Sequence, residues 1–128
     1  MNLPAIVVTI LTVLLSAFFV LTSSIKIFAW NKKVFDMQMA FMRKYGLTRQ
    51  HFFAIGVIEM VSAIGLWFQD SWIAPASALA LCIVSIGAIV FHLKFDTWTA
   101  GIPAFVTACL SGVLFYAYLP SVVALLGA

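Results

Sequence analysis

The fold class this sequence predicts is an all-α polytopic membrane protein, a four-transmembrane-helix bundle with an amphipathic interfacial helix between its first and second spans. Three observations predict it. Of the 128 residues, 65% are hydrophobic and only 9% charged, with a mean hydropathy of +1.16, too little polar surface to cover a water-soluble globule. Apolar stretches near the ~20 residues needed to cross a bilayer occur four times, three of them free of charge and the second holding a single acid, Glu59. No stretch alternates apolar and polar residues as a lipid-facing barrel strand must.

The first span runs from about Leu3 to Ile25. It has no basic residue before it and leads directly into Lys26, so it reads as a retained helix, not a cleaved signal. The second covers about 52–68, the third 72–91 and the fourth 99–119, giving one four-helix transmembrane domain over residues 1–128. Small residues in these spans, Gly56, Ser62, Ala63 and Gly65, Ala76 and Ala80, Ala108 and Gly112, read as packing positions that let helix backbones approach.

Only residues 26–51 form a connection longer than a turn. On a helical wheel of its segment 31–45, Lys32, Lys33, Asp36, Ala40, Arg43 and Lys44 share one face. Val34, Phe35, Met37, Met39, Phe41, Met42 and Tyr45 fill the rest, and only Gln38 breaks the pattern. A basic stripe opposite a Met- and Phe-rich side is the pattern of a helix lying among lipid headgroups. Gly46 ends it, and Thr48 caps the helix that follows. The same apolar side, centred on Phe35, Met39, Phe41 and Met42, is also the expected docking face for another membrane protein, since Met-rich surfaces adapt to varied partners.

Charge placement orients the chain. Six of the seven Lys and Arg residues lie in or beside the first connection, and the seventh, Lys94, in the third. The positive-inside rule then places those connections in the cytoplasm and both termini outside. The net charge of +3 is thus a topology signal and gives no reason to expect nucleic acid.

Glu59 lies within the apolar second span, about 12 Å along the helix from its predicted start. An unpaired ion there costs about 2.5–3.5 kcal/mol on insertion scales. Lys26, ending the first span, and His92, ending the third, enter the same membrane half, with Asp96 at the surface nearby. These four form the expected polar pocket, with a rim of Phe28, Trp30, Phe91, Phe95 and Trp98. A Lys26–Glu59 pair that only fixes helix register is the structural alternative.

Cys82 and Cys109 fall near the centres of adjacent spans, where buried thiols are ordinarily inert. A redox couple is the alternative. His51 is expected to be solvated or to face headgroups. The chain has no CxxC motif, no four-ligand zinc set, no phosphate loop and no nucleophile–base–acid set. Neither a metal nor a dedicated cofactor is expected, and no catalytic residue is assigned.

The segments FFVLTSSIKIF (18–28), GVIEMVSAIGL (56–66) and IVFHLKFDTW (89–98) resemble the DoxX-like family of four-span membrane proteins, in the branch that includes the nicotinic acetylcholine receptor chaperone. The resemblance implies a four-helix membrane bundle with Lys26, Glu59, His92 and Asp96 at the matching positions. Its implied functions range from thiosulfate- and quinone-linked oxidation to receptor assembly. The leading expectation is a non-enzymatic accessory protein whose pocket takes a membrane partner or a lipophilic ligand. A quinone- or thiol-linked oxidoreductase subunit is the second expectation, with quinone as the group it would use. A small proton-coupled transporter working through Glu59 is the third. The expected location is the bacterial inner membrane.

Overall fold

The computed structural model describes residues 3–127. Its elements are α1 (Ala5–Phe28), α2 (Lys32–Lys44), α3 (Arg49–Gly65), α4 (Ile73–Phe95) and α5 (Ile102–Gly127), the last preceded by a 3₁₀ turn at Thr99–Gly101. No strand occurs among the described residues.

Local chemistry accounts for most of the boundaries. Ala29, at φ 54°, turns the chain into the left-handed region and donates its N–H to Ile25 O at 2.8 Å, ending α1. Asn31 starts α2 by accepting a hydrogen bond from the Val34 N–H, and Gly46, at φ 80°, follows it. Thr48 caps α3 as the sequence predicts. The cap is reciprocal: the Thr48 N–H donates to His51 Nδ1 at 3.1 Å while the Thr48 hydroxyl accepts from the His51 N–H. His51 is exposed, in line with its expected place among solvent or headgroups, and also serves as half of a helix cap.

The capping box begins α3 three residues before the expected start of the second span, and α3 ends at Gly65 instead of Phe68. The predicted third span extends to Phe95, past His92, and the fourth passes through Pro120 to Gly127. Ala5–Phe28, Ile73–Phe95 and Thr99–Pro120 are long and apolar enough to cross a membrane. At 17 residues, α3 rises only about 26 Å and falls short of the ~30 Å hydrocarbon core.

The helices α1, α3, α4 and α5 close a ring, each packing on its two neighbours in the order α1–α3–α4–α5. The main core lies at the end of this ring remote from α2, built from Leu11, Leu15 and Phe19 of α1 with Ala63, Ala78, Leu81, Leu114 and Tyr118. Close approach there depends on small residues: a Cβ at Gly65 would run into the Ser77 hydroxyl across the α3–α4 contact. Buried hydroxyls join helices where the backbones are near. Ser16 donates to Ala63 O at 3.1 Å, and Ser85 pairs with Thr107 at 2.8 Å.

Large apolar side chains cover the outside as well, among them Ile6, Leu21, Val61, Ile83, Val90 and Phe105. Apolar exposure around every helix of a ring is what lipid contact requires and what water forbids. At the other end of the bundle, α2 is seated by a smaller cluster of Met39, Met42 and Phe52, flanked by Phe35, Tyr45 and Ile55.

Candidate functional site

Lys26 lies half a turn from the end of α1 and Glu59 in the middle of α3. Their approach depends on Gly56, one turn before Glu59, because a Cβ there would lie 2.9 Å from Lys26 Cβ. With that space open, Lys26 Nζ donates to Glu59 Oε1 at 2.5 Å, and the two side chains are only 14% and 4% exposed. The charges cancel locally, which is how an apolar bundle tolerates either one.

A second polar cluster joins α2 to the end of α4. Lys44 Nζ donates to Asp96 Oδ1 at 2.7 Å, and the Tyr45 hydroxyl donates to Asp96 Oδ2 at 2.5 Å. His92 Nδ1 lies 3.0 Å from both Asp96 Oδ2 and the Tyr45 oxygen. Since the phenol proton is already given to Asp96, both atoms facing Nδ1 are acceptors. Nδ1 therefore carries the imidazole proton, and in the neutral ring Nε2 is left as an acceptor.

Burial raises the Asp96 pKa, but hydrogen bonds from Lys44, Tyr45 and His92 outweigh it and hold the carboxyl below the usual range. Burial pushes the Tyr45 phenol well above its ordinary value, and the bond to Asp96 adds to the shift.

Between these clusters lies a cavity of about 340 Å³. Phe41, Met42, Tyr45 and Leu47 close it from the α2 side, Phe52 and Ile55 come from α3, and Val84, Gly87, Ala88 and Phe91 come from α4. A smaller cavity of about 190 Å³ adjoins it toward α1 and α5, where Thr22, Ser85, Pro103 and Thr107 contribute to its wall. Lys26, Gln38, Glu59 and His92 border both cavities. The result is an apolar chamber under α2 that ends on a polar partition.

Lys26, Glu59 and His92 line one cavity. Asp96 does not border it, because it is turned toward α2 and held by Lys44 and Tyr45. Of the expected rim, only Phe91 lines the chamber. Phe28, Trp30 and Trp98 are 71%, 59% and 69% exposed; the left-handed turn at Ala29 follows Phe28, and Trp30 bonds back to Ser24 Oγ. Phe95 stacks outside, 6.1 Å from Phe91 and 5.7 Å from Tyr45.

The expected docking face is likewise taken up by the bundle itself. Met39 and Met42 are buried, Phe35 packs at 5.6 Å on Phe52, and Phe41 meets the His92 ring edge-on at 5.6 Å. The apolar side of α2 packs against the bundle because that end leaves an apolar gap for it to cover.

Sequence reasoning missed Tyr45, Lys44 and Arg49 as polar contacts. Arg49 donates to Ile27 O at 3.0 Å and lies over Phe35, tying α3 to α1. Gln38 carried a legible signal as the one polar residue out of pattern on the apolar side of α2. Its Oε1 is buried at the partition with no hydrogen-bond partner among the described residues. Cys82 and Cys109 are free thiols, the first directed at Ala108 O and the second exposed.

The family model described as DoxX-like family matches residues 10–115. The chain belongs to the DoxX-like family. Family membership and three helices of spanning length make this an integral membrane protein. The part that matches the DoxX-like family includes Lys26, Glu59, His92, Asp96 and all of α2. No curated protein matches the chain, and no solved structure does.

Proposed function

We propose that this DoxX-like protein is a membrane accessory protein that holds an amphiphile in the chamber under α2, with the polar end of the ligand at the Lys26–Glu59–His92 partition. The observation that carries the reading is the chamber itself. Its volume of about 340 Å³ falls in the range of small-molecule sites, and its apolar walls with a few convergent polar groups match their usual chemistry. In the same reading α3 is a fourth, short span whose mismatch is met by local thinning of the bilayer. The helix α2 lies in the headgroup plane on the cytoplasmic side, both termini are outside, and the membrane is the bacterial inner membrane.

Native mass spectrometry of the protein released from mild detergent tests the central claim. A discrete lipophilic adduct is expected on the wild type and not on Gly87→Phe, which fills the chamber. Equal adducts on both proteins overturn the reading. Alkaline phosphatase fused after residue 127 should be active if the C-terminus is outside.

The oriented imidazole favours a second reading, a quinone-linked redox subunit. Asp96 and Tyr45 fix the His92 tautomer beside an apolar chamber, the arrangement that proton exchange with a quinone head requires. Binding of an added quinol by the purified protein, weakened in His92→Phe, is the result expected of it.

A further inference from the structure

Resting on that amphiphile site, the polar partition also specifies the ligand's head. Three features of the partition bear on its chemistry. The two charges that reach it, Lys26 and Glu59, are spent on each other at 2.5 Å. The proton on His92 Nδ1 is committed to the Asp96–Tyr45 side, which leaves Nε2 as the free edge of a ring that borders both cavities. Gln38 brings a buried Oε1 that has no partner among the described residues.

A buried acceptor left unpaired is costly, and a ligand that supplies a donor recovers that cost. An anionic head offers no donor, and both it and a cationic head would have to break the Lys26–Glu59 pair to find a counter-charge. A hydroxyl gives one proton and accepts others, so it satisfies Gln38 in either orientation of its amide and also suits Nε2.

We infer that the partition selects a neutral hydroxyl-bearing amphiphile, a long-chain alcohol or an apolar phenol. Its hydroxyl lies among Gln38, His92 and the neutralised Lys26–Glu59 pair, and its hydrocarbon body lies among Phe41, Phe52 and Phe91.

The test titrates detergent-solubilised protein with decanol, decanoate, decylammonium and decane, reading bound fraction by native mass spectrometry. Decanol should bind about tenfold tighter than the other three, the factor that one satisfied buried hydrogen bond supplies. Gln38→Leu should abolish that advantage while leaving decane binding unchanged, which separates loss of the head contact from loss of the fold. Gln38→Glu should move the preference to decylammonium. Equal affinity for all four probes, or a wild-type preference for either ion, overturns the hydroxyl assignment and leaves the amphiphile site standing. No binding of any probe by the wild type overturns both.

Discussion

The Lys26–Glu59 pair and the Lys44–Tyr45–His92–Asp96 cluster border the same end of the bundle with similar chemistry, but they are held in different ways. The first has two charged groups, both nearly buried, in helices that are themselves locked together by the Gly56 contact. The second has four groups, and its lysine side chain is 53% exposed. It joins α4 to α2, a helix otherwise seated by a small Met and Phe cluster. Desolvation makes the difference: breaking a buried pair strands a charge in an apolar interior, whereas solvent can take over an exposed member. One cluster should therefore control whether the bundle folds, and the other how firmly α2 covers the chamber.

The largest effect that would break this comparison is at Glu59. Glu59→Ala leaves Lys26 uncompensated and should cost about 3–5 kcal/mol, whereas the double change Lys26→Met with Glu59→Leu should recover most of it. Reversible unfolding in mixed micelles would show both. A mild phenotype for the single variant would place the two clusters on the same footing.

Gly56→Ala comes next. The new Cβ, 2.9 Å from Lys26 Cβ and 3.1 Å from Ile27 Cγ1, has to push α1 from α3, at a cost of about 1–3 kcal/mol. Hydrogen exchange should rise in α1 and α3 while α2 is unaffected.

Tyr45→Phe and Asp96→Asn should do the reverse, speeding exchange and proteolysis across α2 with only a few degrees lost in bundle Tm. The same release should follow from pH. Asp96 is more acidic in the fold than in the open chain, so its contribution is complete above the unfolded carboxylate value of about 4 and is lost as pH falls further. Tyr45 is less acidic in the fold, so its contribution is complete below about pH 10 and is lost as pH rises past it. Protease sensitivity of α2 should thus have a plateau between these limits. Lys44→Gln is the smallest change, since its side chain is half exposed, and should shift only the salt dependence of α2 protection.

Much of this was written in the sequence where a single residue's cost forced the outcome. Glu59 in an apolar span demanded a partner, and Lys26 was the cation able to reach it. The rim and the docking face were not legible in the same way. Phe28, Trp30 and Trp98 flank the site in sequence, yet the direction of each is set by the turn that carries it. Nothing in the pattern of α2 distinguished a face turned to lipid, to a partner, or to the chain's own bundle, because all three reward the same apolar side chains.

The sequence alone determined the elements: apolar stretches that require helices in a membrane, Thr48 and Gly46 at helix ends, and a Lys–Glu pair across two helices. These follow from local hydrogen bonding and from the cost of burying charge, which each residue carries wherever it lies. Tertiary structure alone decided the chamber, the seating of α2 over it, and the meeting of Tyr45, His92 and Asp96. A cavity is the space that α2, α3 and α4 leave between them when Gly87 and Ala88 are small, so it depends on the distances between helices and has no signature within any one of them.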